Sequence, residues 1–210
     1  MAQIIPAILE KDISEIQKKL DSLSDLVDWV QIDLADGDFV DNILVSPEKL
    51  NSLQTNLNLE VHLMVRKPEE WIKYLNPDIF KRVYFHIEAL PEPGDLIVDI
   101  RGNDIEAGLA INIDTPISAI REHADRVDSI LFMSVEPGLQ GQDFNPEVFP
   151  KIDEFYNEFP DHLIAIDGGV NISNFMDILS SGVDNISIGS AIFNNNNITD
   201  NINQFKKLLS

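Results

Sequence analysis

The sequence predicts an α/β fold, a compact (β/α)8 TIM barrel formed as a single domain over residues 1–210, and three observations carry that prediction. Short apolar, β-branched runs recur eight times, stretches of helical spacing lie between them, and the last runs break off at glycines beside polar residues. Such alternation makes parallel strands joined by crossover helices, because a tight turn cannot join a parallel pair. A doubly wound open sheet of eight strands is the structural alternative.

The runs begin near Gln3, Asp28, Asn58, Arg82, Glu106, Asp128, His162 and Asp184, at intervals of 22 to 34 residues. The first is followed by a helical stripe of Ile13, Ile16, Leu20 and Leu23. The second ends on Gln31 and Asp33, the third carries His62, and the fourth ends on His86 and Glu88. The fifth ends at Asn112 and the sixth at Ser134 and Glu136, before a second helical stripe of Val148, Ile152, Phe155 and Phe159. The seventh ends at Asp167, and Ser190 follows the eighth. Asn194–Asn197 reads as a solvated polar connection before a last helix ending in Phe205-Lys206-Lys207-Leu208-Leu209.

With 36 acidic against 15 basic residues the formal charge is −21, which repels the phosphate backbone of nucleic acid and excludes it as a partner. The same field opposes a small anion, so a phosphate site here must rest on oriented backbone amides more than on lysines. No apolar run approaches the roughly 20 residues of a membrane helix. The start has no basic segment followed by an apolar core, and there is no cysteine to form disulfides, so a cytoplasmic location is expected. A metal would have to be held by carboxylates, imidazoles or amide oxygens.

Gln31 and Asp33 are two apart on one strand and share a face, while Asp167 lies across the barrel from them. Two carboxylates facing each other across a small substrate suit removal of a proton from one face of a carbon and its return on the other, which is what inverting a stereocentre beside a carbonyl requires. Alone, Asp33 also reads as a turn acid. His62, among apolar neighbours, also reads as a hydrogen-bonded core histidine. Together with Asp167 they make a nitrogen and oxygen set suited to a divalent cation. His123 and His162 fall on expected helix or loop surface and receive no role. Gly138 and Gly141, Gly168 and Gly169, and Gly189 with Ser190 place glycine loops after three consecutive strands, a phosphate cradle at helix starts.

These residues stand in blocks that resemble the ribulose-phosphate 3-epimerase family nearly from end to end. The blocks are Ile5-Pro6-Ala7-Ile8-Leu9, Ile32-Asp33-Leu34-Ala35-Asp36-Gly37-Asp38-Phe39-Val40, Val61-His62-Leu63-Met64-Val65 and Phe85-His86-Ile87-Glu88-Ala89. They continue with Met133-Ser134-Val135-Glu136-Pro137-Gly138-Leu139-Gln140-Gly141-Gln142, Asp167-Gly168-Gly169-Val170-Asn171 and Gly189-Ser190-Ala191-Ile192-Phe193. The resemblance implies a homo-oligomeric (β/α)8 barrel that interconverts D-ribulose 5-phosphate and D-xylulose 5-phosphate with a divalent metal, Zn, Fe, Mn or Co. It implies Asp33 and Asp167 as the acid/base pair and as metal ligands with His62. It further implies Met64 and Met133 beside the reacting carbon, and Gly138, Gly141, Gly168, Gly169, Gly189 and Ser190 at the phosphate.

The chain also departs from that pattern. Gln31 stands where the family has a histidine metal ligand, and its amide oxygen is a poorer donor to zinc or iron. Ala7 stands for a substrate-contacting serine, Ala35 for a methionine, Asp41 for a proline, Glu136 for an asparagine and Gln140 for a glycine. The departures cluster at the site. They keep open two further readings on the same fold, an isomerase or lyase for another sugar phosphate and a sugar-phosphate binder that has lost catalysis.

Overall fold

A computed structural model of the chain describes residues 2–194 and 197–209. Its eight strands are β1 (Gln3–Ile8), β2 (Trp29–Ala35), β3 (Asn58–Met64), β4 (Phe80–His86), β5 (Glu106–Ile111), β6 (Ser129–Met133), β7 (Leu163–Asp167) and β8 (Asn185–Ile188). They pair in sequence order, and β8 pairs in parallel with β1, so the sheet closes on itself as a (β/α)8 barrel and the open-sheet alternative falls. Each strand starts within two residues of its expected position.

The outer helices form for visible reasons. In α1 (Ile13–Leu23) Asp12 caps the start by accepting the Ser14 amide at 2.7 Å, and Ile16, Leu20 and Leu23 bury the stripe expected for them. The stripe of α5 (Val148–Glu158) buries Val148, Ile152 and Phe155, with Phe159 just past its end. The remaining helices are α2 (Pro47–Leu50), α3 (Pro68–Trp71), α4 (Gly94–Gly102), α6 (Phe175–Ser180), α7 (Ser190–Phe193) and α8 (Ile198–Leu209). No α-helix joins β5 to β6. Ile117, Ile120, Ala124 and Val127 have helical spacing and are buried, yet the segment folds as two 3-10 turns at Ile117–Ala119 and Ala124–Arg126. The connection over Asn194–Asn197 is exposed at Asn194 and Asn197, while Asn195 and Asn196 lie outside the described residues. His123 and His162 are half-buried rather than on the surface: His162 pairs its Nε2 with the Ala124 carbonyl at 2.7 Å and packs on Phe155 and Phe159.

Between the barrel and its helices lies one apolar layer, fed by the outward residues of every strand, such as Val30, Ile32 and Leu34 on β2. Inside, the barrel is filled by side chains in tiers. In the lower tier the Arg82 guanidinium donates to Glu60 at 2.9 Å and to Glu106 at 2.8 Å, and stacks over Trp29. The Tyr84 ring crosses the middle over Gly108, where a side-chain carbon would sit 2.4 Å from it, so glycine is required there. Its hydroxyl accepts from Ser129 at 2.9 Å.

Candidate active site

Strand register brings the site together at the C-terminal rim of the barrel. Asp33 is level with His62 on the neighbouring strand, and Asp167 is level with Met133 on one side and Ser187 on the other. One cavity of about 50 Å³ is lined by Asp33, His62, Met64, Met133, Gly138, Gly141, Asp167, Gly168, Gly169, Gly189 and Ser190. Gln31 lies one tier below, wholly buried.

The polar contacts of this floor are short and specific. Gln31 Nε2 donates to Asp33 Oδ1 at 2.8 Å and to Asp167 Oδ2 at 2.7 Å, and Gln31 Oε1 accepts the Ser187 hydroxyl at 2.8 Å. His62 Nδ1 faces both acids, 3.4 Å from Asp33 and 3.6 Å from Asp167. Burial lifts the Asp33 carboxyl above the usual carboxylate range, against the pull of His62, and the charge of Asp167 adds to the lift. Burial opposes a charge on His62 as well, but Asp167 and Asp33 outweigh it and raise the imidazole to about 9. Behind His62 lies His86, held down to about 4 chiefly by burial. Beyond it, Glu88 overcomes burial through bonds from His86, the Thr115 hydroxyl and the Asn112 amide, and drops to about 2.

The donor set accommodates a cation. One ligand atom each from Asp33, His62 and Asp167 lies within 4.8 Å of the others, and His62 Nδ1 is a buried nitrogen without a hydrogen-bond partner. This group can bind a metal. Gln31 presents its NH2 to the carboxylates, so serving as a ligand would require its amide to turn over and exchange the roles it now plays toward Ser187.

The glycine loops follow β6, β7 and β8 around one side of the rim. Gly169 has φ +59°, and a side-chain carbon there would meet the Phe144 backbone at 2.5 Å, so the close packing of two loop backbones dictates glycine. Ser134 holds the turn after β7 by donating to the Asp167 and Gly168 carbonyls at 3.0 and 2.6 Å. Gln140, in the loop after β6, reaches the same side: its Nε2 lies 3.2 Å from where a side chain on Gly189 would begin. On the opposite side Asp36 accepts the Phe39 amide at 2.9 Å and the Arg66 amide at 2.7 Å, tying the loops after β2 and β3 together.

Sequence reasoning gave Ser187 no role, although its inward parity on β8 pointed to the barrel interior. His86 and Glu88 read from the sequence as strand-end residues, and their link to His62 is visible only in three dimensions.

A carboxylate pair at the strand ends of a closed (β/α)8 barrel, beside glycine loops on its last three strands, has the layout of barrel enzymes that build their active sites at that rim. The chain matches the ribulose-phosphate 3 epimerase family over residues 3–193 and belongs to that family of carbohydrate isomerases. It is 32% identical to the ribulose-phosphate 3-epimerase of a Synechocystis species over 95% of this chain and 90% of the relative. The Bacillus subtilis enzyme of the same name is also 32% identical, over 92% of this chain and 93% of the relative. Among solved structures, orotidine 5'-monophosphate decarboxylase from Sulfolobus solfataricus superposes with a TM-score of 0.67 at 15% identity, covering 100% of this chain and 98% of the other. A mutant tryptophan synthase alpha-subunit from Pyrococcus furiosus reaches 0.73 at 10% identity, covering 99% and 97%. These two share the fold. Among the described residues no helix is long and apolar enough to cross a membrane.

Proposed function

We propose that the chain inverts C3 of a pentulose 5-phosphate, interconverting D-ribulose 5-phosphate and D-xylulose 5-phosphate, with Asp33 and Asp167 as its acid/base pair. The observation that carries the reading is that both carboxylates line one cavity, from the non-adjacent strands β2 and β7, and share one bridging amide, Gln31. In one direction of the reaction Asp33 serves as the acid and Asp167 as the base. Asp167 takes the proton from C3 on its own face, the electron pair passes into the adjacent carbonyl to form an enediolate, and Asp33 returns a proton on the opposite face. The pair ends with its protonation reversed, which is the starting state for the reverse reaction.

Met64 and Met133 line the cavity with thioethers that exclude water from the reacting carbon. Gly138, Gly141, Gly168, Gly169, Gly189 and Ser190 would take the phosphate through backbone amides, as the acidic surface demands. A divalent cation (Zn, Fe, Mn or Co) held by Asp33, His62 and Asp167 would supply a Lewis acid that polarises the carbonyl beside C3. The position of Gln140 against Gly189 favours a second reading, an isomerase or lyase for a different sugar phosphate, because it narrows the cradle.

Incubation with D-ribulose 5-phosphate in D₂O, with and without Mn²⁺, Zn²⁺ or Fe²⁺, tests the first reading by NMR. Deuterium at C3 together with appearance of xylulose 5-phosphate is the expected result. A folded protein that exchanges nothing under any condition overturns it in favour of the second reading or of a binder without catalysis.

A further inference from the structure

At the end of β4 runs a chain of contacts that the proton transfers above do not use. His62 Nε2 lies 2.8 Å from His86 Nε2, and His86 Nδ1 lies 3.2 Å from Glu88 Oε2. The other Glu88 oxygen accepts the Asn112 backbone N–H at 2.8 Å. Both rings are buried, and Phe39 packs on His86 with ring centroids 4.8 Å apart, so water does not compete for the bond between the imidazoles.

A contact between two imidazole nitrogens holds one proton, and the rest of the chain decides which ring carries it. An ionised carboxylate only accepts, so Glu88 requires the proton of His86 on Nδ1. A neutral, buried His86 then offers a bare Nε2, and His62 must donate to it from Nε2. The nitrogen left over on His62 is Nδ1, aimed at Asp33 and Asp167, and a proton held there between the two acids is the one a cation displaces to reach the lone pair. Were the chain to run the other way, His62 would carry its only proton on Nδ1 and close that position to a cation.

We propose that Glu88 and His86 are positioning residues that set the tautomer of His62, presenting its Nδ1 lone pair to a divalent cation shared with Asp33 and Asp167. The proposal rests on the metal-site part of the reading above. A ligating imidazole whose other nitrogen donates to a fixed acceptor is held in orientation, and loss of such a partner costs about 10- to 100-fold in metal affinity.

Glu88→Gln tests it at nearly constant size. The Asn112 N–H retains the amide oxygen, which leaves the NH2 facing His86 Nδ1 and reverses every bond in the chain. Calorimetric titration with Mn²⁺ or Zn²⁺ should show affinity about 10- to 100-fold below wild type, and ¹⁵N NMR of the metal-free protein should show the His86 proton moved from Nδ1 to Nε2. Glu88→Asp, which keeps the carboxylate, should keep the wild-type tautomer. An unchanged affinity in folded Glu88→Gln overturns the proposal, and so does a wild-type His86 protonated on Nε2, which needs no variant. If wild type binds no metal, the metal-site reading itself fails, while the NMR result still reports separately on the link between Glu88 and His86.

Discussion

Gln31 Nε2 lies 2.7 Å from Asp167 Oδ2, joining residues 136 positions apart across the barrel, and 2.8 Å from Asp33 Oδ1 on its own strand. One amide thus spans the two proposed acids, and its direction is fixed from behind by the Ser187 hydroxyl. An NH2 group donating two hydrogen bonds holds two carboxylates side by side that would otherwise repel each other. It does so without filling the position that His62 Nδ1 faces.

Gln31→His should strengthen metal binding. An imidazole in place of the amide adds a fourth nitrogen or oxygen donor to Asp33, His62 and Asp167, and calorimetry with Zn²⁺ should show about tenfold or greater tightening, an order of magnitude suited to one added imidazole ligand. Unchanged affinity would mean that a side chain at this buried position does not reach the cation.

Asp167→Asn should leave the fold intact and remove epimerisation. The cavity wall keeps its shape, the Gln31 contact is retained in part, and the group that takes up the proton is gone. A fall in kcat of roughly 1,000-fold or more is expected, in line with the worth of a positioned general base. Deuterium exchange at C3 checks it, with circular dichroism as the control for folding. Full activity in the variant would sink the two-acid mechanism.

The strands and the rim residues were legible because both rest on local signals. A β-branched run that ends beside a polar residue names a strand end, and parity along β2 and β3 turns Asp33 and His62 inward. The Ser187–Gln31 bond spans 156 positions, and no periodicity records it. The lower tier was equally hidden, since Arg82 entered only as the start of a run and its partners Glu60 and Glu106 lie on two other strands. Between β5 and β6 helical spacing does not make a helix, because Ile117, Ile120, Ala124 and Val127 are buried through 3-10 turns instead.

Glu60 gives the chain a pH dependence whose sign follows from its burial. Burial pushes its carboxyl up to about 7 against the attraction of Arg82, whereas in the unfolded chain it titrates at its ordinary value of 4.5. Between those two values the unfolded chain releases the proton first, so stability falls as pH rises from 4.5 to about 7 and is level on either side. Glu60→Gln mimics the protonated carboxyl and leaves Arg82 its bond to Glu106, so the variant should match wild type on the acid side of the window. It should abolish this slope, so that the Tm of the variant rises above that of wild type, by several degrees, as pH rises through the window. Calorimetric scans across it decide the matter, and parallel curves would assign the slope to other groups.

Gln140 is placed to govern how much room the phosphate has. Its carboxamide lies 3.2 Å from the point where a Gly189 side chain would begin, and the cavity beneath holds about 50 Å³. From there the carboxamide narrows the cradle that Gly189 and Ser190 form with the glycine loops after β6 and β7. Gln140→Gly removes the obstruction at a loop position flanked by Leu139 and Gly141, away from the proposed acids. The expected result is a KM for D-ribulose 5-phosphate lower by about three- to tenfold, the equivalent of roughly 1 kcal/mol, with kcat changed by less than about twofold because the proton-transfer groups are untouched. A rise in KM would show instead that the Gln140 amide donates to the phosphate. An unchanged KM with a changed preference among sugar phosphates would make Gln140 a determinant of substrate choice.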